Sequence, residues 1–133
     1  MSESNPHPPG KPNTPSNEFQ RLMWATKNSL KGYRRVFQDE AAFRAQVAVL
    51  VVLIPIAGWW ARSFVEFVLL VGVWVLVLAG ELVNSALEAA IDRIGFEHHH
   101  LSAKAKDAGS ALTMTLMLLA FFVWLAVGLD RYL

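Results

Sequence analysis

One run constrains this chain more than any other. Phe67 to Ala79 is apolar throughout and passes, with no turn signal, into LAGELVNSALEAAIDRIG, Leu78 to Gly95. At about 100° per residue, Glu81, Asn84, Ser85, Glu88 and Asp92 fall within roughly a 100° arc of one helix. Val83, Leu87, Ala90, Ile91 and Ile94 fall on the other side. A single helix therefore leaves a hydrocarbon-like environment with a stripe of carboxylates. A charge well inside a bilayer costs about 2.5–3.5 kcal/mol on insertion scales and marks a functional position by default. Glu81 and Glu88 are two turns apart, about 10 Å along the axis.

Composition agrees with a membrane setting. The 133 residues suffice for one domain and are 54% hydrophobic, high for a water-soluble globule. A net charge of +1 gives no bulk electrostatic case for nucleic acid. Cysteine is absent, which excludes disulfides, thiolate catalysis and Cys-ligated metals. Met1 to Asn17 holds five of the six prolines and no apolar core region, so it reads as a disordered tail rather than a signal peptide.

Beyond the tail, residues 18–133 read as one membrane domain. Phe19, Leu22, Met23, Thr26, Leu30, Tyr33 and Phe37 recur at helical spacing, and Arg21, Lys27, Lys31, Arg34 and Arg35 lie mostly off that stripe. That pattern resembles a basic amphipathic helix in a membrane interface. A soluble helix packed on a core is the alternative, and the adjoining apolar segments favour the interface. Spans are expected at about 43–61, 64–86 and 108–129. Pro55 should kink the first. Trp59 and Trp60 close it as an aromatic belt would, and Arg62 to Val65 reads as a tight turn. Glu66 is expected to be a solvated carboxylate. Gly95 signals a helix end, and Ser102 is the expected N-cap of the next helix. Lys and Arg concentrate before the first span and between the second and third, so the N-terminus and the 95–107 loop are expected in the cytoplasm. The fold class is thus all-α: an amphipathic surface helix plus three transmembrane helices.

Glu40 precedes the first span, Glu81 to Asp92 close the second, and Lys106 and Asp107 precede the third. All lie at one membrane boundary. Carboxylates from two helices can hold Mg²⁺, which prefers oxygen ligands and substrate phosphates. A lysine beside a helix N-terminus can neutralise phosphate, and a further carboxylate can take a proton from an attacking hydroxyl. Those are the parts of phosphoryl transfer. Three alternatives stay open. The carboxylates can be merely solvated or paired with Arg44 and Arg93. The arc can line a proton or ion pathway in a non-enzymatic oligomer. His98, His99 and His100 suggest zinc by type, but three consecutive loop residues rarely chelate one ion. No Walker-type glycine-rich loop is present.

ELVNSALEAAIDRIG, the 97–110 stretch EHHHLSAKAKDAGS and the upstream DEAAFRAQ resemble the motifs of the prokaryotic diacylglycerol kinase family over about residues 19–133. The resemblance implies a small integral-membrane lipid kinase of the inner membrane, a homotrimer with composite sites that converts diacylglycerol to phosphatidic acid with MgATP. Carried over by motif, Glu81 is the implied general base, with Asn84 orienting the site, and Glu40 and Glu88 are implied metal ligands. Arg21, Asn28, Glu97, His98, His99, Lys106 and Asp107 are implied contacts to ATP, with Glu40 and Glu88 reaching it through the metal. The implied lipid-lining set begins with Arg21, Ala25, Thr26, Lys27, Asn28, Ser29 and Leu30. It continues through Arg34, Arg35, Val36 and Phe37, then Ala42, Phe43, Arg44, Ala45 and Gln46. Trp59, Phe67, Glu81, Ser110, Trp124, Leu125, Ala126, Val127, Gly128 and Leu129 complete it. Asn28 stands where the family often has an aromatic-type contact, and His100 where an acidic residue is common. Undecaprenol is the alternative lipid, since some members of the family phosphorylate it.

Overall fold

The computed structural model describes residues 17–95 and 99–131, and every described element is a helix or the connection between helices. Helix α1 spans Glu18–Asp39, α2 Ala41–Trp60, α3 Phe64–Ile94 and α4 His100–Asp130. The chain divides after Arg34 into two units. In the first, Asn17 Oδ1 accepts the Phe19 N–H at 3.2 Å and so starts α1. The tail reading of residues 1–16 lies outside the described residues.

In the second unit α3 is the central helix and packs on both α2 and α4. Its buried positions are Leu70, Val73, Val77, Gly80, Glu81, Ser85 and Ile91, mostly three or four apart along one face. The opposite positions Val75, Leu76, Val83, Leu87 and Ile94 are exposed. Glu81 and Ser85 of the polar arc are therefore turned into the bundle while these apolar residues face outward, which suits a helix in hydrocarbon. Val73 and Val77 meet Ala120 of α4, with Trp74, Leu116, Met117, Val123 and Trp124 packed around them.

Side-chain contacts fix the register. On α4, Gly109 lies against Asn84, and Leu116 and Thr113 lie against Gly80. Further along, Trp124 Nε1 donates to the Leu70 carbonyl at 3.2 Å. Numbers rise on one helix as they fall on the other, so α3 and α4 are antiparallel. On α2, Trp74 Nε1 donates to the Gln46 carbonyl at 3.0 Å, and Phe67 lies against Gly58, so α2 is antiparallel to α3 as well. Three helices are long and apolar enough to cross a membrane, which makes this a multi-pass membrane protein.

Helix α2 runs through Pro55 to Trp60. Helix α3 begins at Phe64, the expected start of the second span, on the N-cap Ser63, whose hydroxyl accepts the Glu66 N–H at 3.2 Å, so the turn stops short of Val65. Glu66 Oε2 in turn accepts the Arg62 N–H at 2.8 Å. This carboxylate is part of a reciprocal cap rather than merely solvated. Helix α3 ends at Gly95 as expected, with the Gly95 N–H on the Ile91 carbonyl. Ser102 is not the N-cap of α4. His99 is, its Nδ1 accepting the Leu101 N–H at 3.3 Å, which starts the helix three residues earlier.

The far rim is tied by two arginines. Arg62 donates to the carbonyls of Asp130 at 3.3 Å and Arg131 at 2.7 Å, at the end of α4. Arg131 donates to the Trp60 carbonyl at 3.3 Å and lies over the Trp59 and Trp60 rings. Each guanidinium satisfies carbonyls that a helix end leaves without intrahelical donors.

Candidate active site

Glu40 occupies the break between α1 and α2, in extended backbone that α1 reaches through a bond from the Glu40 N–H to the Val36 carbonyl, 2.8 Å. Arg44, one turn on, donates to the carbonyls of Phe37 at 3.2 Å and Gln38 at 2.9 Å. It serves the end of α1 and is not an ion-pair partner of the carboxylates. Among the described residues the ion pairs are Arg62 with Asp130 and Lys106 with Asp92, so Arg93 pairs with none of them either.

On α3 the stripe is graded in depth. Glu81 is buried, at 7% exposure, Asn84 and Glu88 are half-buried, and Asp92 is exposed. Asn84 Nδ2 donates to Glu88 Oε1 at 2.9 Å, which orients that carboxylate. Asn84 Oδ1 is buried and has no donor among the described residues. At the outer end Lys106 Nζ donates to Asp92 Oδ1 at 2.6 Å. Glu40 is the N-cap of α2, and Glu88 follows Glu81 by two turns of α3. None of the three pairs with a cation among the described residues.

A pocket of 280 Å³ opens beside Glu81, lined by Ala42, Glu81, Asn84, Ser110, Thr113, Met114 and Met117. It brings together four residues singled out in the sequence: Ala42, Glu81, Asn84 and Ser110. Thr113, Met114 and Met117 were not singled out. Their spacing from Ser110, at three, four and seven residues along α4, is the signal that would have found them.

Arg21, Ala25, Thr26, Lys27, Asn28, Ser29, Leu30 and Arg34 belong to α1 in the first unit. Arg35, Val36 and Phe37 end that helix in the second unit. Phe43 is buried, and Gln46 is half-buried with its Nε2 4.0 Å from Met117 Sδ. Phe67 is fourteen residues before Glu81 on α3, about 21 Å along the axis. Trp59, Phe67 and the Trp124 to Leu129 end of α4 therefore lie toward the far rim, outside the Glu81 pocket. Glu97 and His98 lie outside the described residues. His99 caps α4, its ring 4.8 Å from that of His100, and Asp107 is exposed on the first turns of α4.

The donor set suits a hard cation shared with phosphate. Among the described residues no three His, Asp or Glu side chains form a metal cage. Mg²⁺ does not need one, because it takes one or two carboxylates and fills its shell with phosphate oxygens and water. Glu40 and Glu88, without cation partners among the described residues, are carboxylates of that kind.

Comparison with known proteins agrees with the motifs. Residues 27–128 match the family described as prokaryotic diacylglycerol kinase. The chain is 42% identical over 109 residues to a diacylglycerol kinase of Pseudomonas aeruginosa, covering 82% of this chain and 89% of that one. It is 40% identical over 106 residues to the diacylglycerol kinase of Escherichia coli strain K12, covering 80% and 87%. To that of Haemophilus influenzae it is 40% identical over 103 residues, covering 77% and 87%. A match over most of the chain, at this identity and with the motif residues gathered around one pocket, places the protein in the prokaryotic diacylglycerol kinase family.

Proposed function

We propose that this protein transfers the γ-phosphoryl group of ATP to the free hydroxyl of diacylglycerol, giving phosphatidic acid and ADP. The observation that carries the reading is the buried carboxylate of Glu81 lining a pocket with Ala42, Asn84 and Ser110, and among the described residues no cation pairs with Glu40, Glu81 or Glu88. Family membership favours a kinase over an ion-conducting oligomer.

In this reading Glu81 accepts the proton of the lipid hydroxyl as its oxygen attacks phosphorus in line with the departing ADP oxygen. Glu40 and Glu88 would hold Mg²⁺, which would supply positive charge to offset that of the ATP phosphates. Asn84 keeps Glu88 in place through its side-chain amide. Lys106, held by Asp92 at the outer end of the stripe, is positioned for the phosphates, with Asp107 beside it. Arg21 and Asn28 of α1, and Glu97 to His99 before α4, are assigned to the nucleotide. Helix α1 lies along the cytoplasmic face of the inner membrane, with its basic residues toward lipid headgroups and phosphate. Three spans surround a polar site poorly, so the working unit is a homotrimer with sites shared between protomers.

Transfer of labelled phosphate from MgATP to diacylglycerol in mixed micelles tests this. Glu81→Gln keeps the shape and removes the base, so turnover should fall by about 10²–10⁴-fold while the protein keeps its helicity and assembly state. Near-normal turnover removes Glu81 from the base role.

A further inference from the structure

The side-chain amide of Asn84 is confined at both ends. Its Nδ2 donates to Glu88 Oε1 at 2.9 Å, while its Oδ1 is enclosed against Gly109, a buried position of α4. A Cβ at 109 would run into Oδ1 and come within 3.4 Å of Asn84 Cγ and 3.3 Å of Leu87 Cδ1. Glycine in a helix interior is less favourable than alanine, so its place here calls for a further reason. The other glycines of the described helices offer no parallel. Gly32 and Gly72 face open space, Gly58 and Gly128 make ordinary contacts, and Gly80 meets the flexible tip of Leu116. Among them Gly109 alone has a polar atom of the carboxylate stripe where its side chain would be.

A carboxamide is planar, so its oxygen and nitrogen move together. Swinging Oδ1 clear of a Cβ at 109 carries Nδ2 off Glu88. Turning the amide over instead sets Oδ1 against the Glu88 carboxylate, acceptor against acceptor. Glu88 is half-buried and pairs with no cation among the described residues, so the bond from Asn84 is what orients it. Removing the partner that orients a metal-binding carboxylate typically costs about 10–100-fold in metal affinity. A bare Cα on α4 is thus a condition for how Glu88 is presented on α3.

We propose that Gly109 is a positioning residue: by leaving room for the Asn84 amide, it fixes the Glu88 carboxylate for the divalent cation that accompanies ATP. The inference rests on the kinase reading, in which Glu88 is a metal ligand, and goes beyond it by assigning the orientation of that ligand to α4. The test is binding of Mn²⁺ with β,γ-methylene-ATP, whose terminal phosphate cannot be transferred, to the full-length protein in mixed micelles, read by water-proton relaxation. Gly109→Ala should weaken this binding about 10-fold, the low end for loss of an orienting partner, because Glu88 is only half-buried. Asn84→Ala should weaken it to the same extent. Adding Gly109→Ala to Asn84→Ala should weaken it no further, because both act on Glu88 through one amide. Gly80→Ala, at the other tight glycine of the α3–α4 contact, should bind as wild type does. Where Gly109→Ala fails to assemble, Leu87→Ala combined with Gly109→Ala takes its place, since it makes room for packing while leaving the Cβ on Asn84. Wild-type binding by Gly109→Ala, or by its combination with Leu87→Ala, overturns the inference. So do losses from positions 84 and 109 that multiply, or a loss in Gly80→Ala equal to that in Gly109→Ala, which marks general packing. All of these leave the kinase reading standing. Glu88→Gln binding the Mn²⁺–nucleotide as tightly as wild type removes Glu88 as a metal ligand and the inference with it. Wild type that transfers no phosphate from MgATP to diacylglycerol overturns the kinase reading and this inference together.

Discussion

The contact between Gly109 and Asn84 links helix packing directly to the carboxylate stripe, and it makes a quantitative prediction. A Cβ at position 109 would run into Asn84 Oδ1 and come within 3.3 Å of Leu87 Cδ1. Asn84 cannot give way freely, because its amide nitrogen is committed to Glu88 at 2.9 Å. Gly109→Ala must therefore both strain the packing and break that bond. Overpacking costs about 1–3 kcal/mol, and a hydrogen bond to a charged group contributes about 1.5–3 kcal/mol. The half-buried setting of Asn84 argues for the lower end of both. Alanine in place of glycine returns about 1 kcal/mol of helix propensity. The net expectation is a loss of about 1–2 kcal/mol. Gly80→Ala is the internal control. Its Cβ would come within 2.6 Å of Leu116 Cδ1, but that is the tip of a flexible side chain that can rotate away. The same propensity gain then leaves Gly80→Ala within about 0.5 kcal/mol of wild type. Reversible SDS titration in mixed micelles, followed by near-UV circular dichroism, measures both variants. Adding Asn84→Ala to Gly109→Ala should recover part of the loss, a coupling that a double-mutant cycle reads directly. Gly80→Ala costing more than Gly109→Ala, or zero coupling between positions 84 and 109, would refute the argument.

Two further outcomes follow from the helix contacts. Trp124→Phe keeps the ring's packing and deletes the indole N–H that reaches the Leu70 carbonyl, so it should cost about 0.5–1.5 kcal/mol in the same titration. No measurable loss would remove that bond from the account of how α4 holds α3. Ser63→Ala removes the cap at the start of α3 and should cost about 1 kcal/mol, confined to the first turn. Faster amide exchange at Phe67 but not at Val77 is the result to look for, and uniform exchange would show that Ser63 is not the local stop.

The comparison of expectation with structure is most instructive at the helix ends. Gly95 ends α3 as its sequence position suggests, yet Ser102 yields the N-cap of α4 to His99. The His99 ring nitrogen accepts the Leu101 N–H, so an imidazole acceptor takes the place that residue-type preference gave to Ser102. Arg44 was open to pairing with a carboxylate but reaches carbonyls at the end of α1 instead. A guanidinium has five donors and no preference readable from sequence, so the nearest orphan acceptors take it. Thr113 went unnoticed because a threonine in an apolar helix ordinarily satisfies itself, and only coordinates show that this one does not.

The number of membrane helices and the apolar spans were determined by the sequence alone, and so was the segregation of Glu81, Asn84, Glu88 and Asp92 on one helical face. Period and hydropathy are local properties that no neighbour can alter. Which face points inward, which residues across α4 complete the pocket, and which polar atoms are left without partners were decided only by tertiary structure. Those depend on the antiparallel register of α3 and α4, which is set by glycines meeting side chains far away in the chain. Separation along the sequence carries no record of that distance in space.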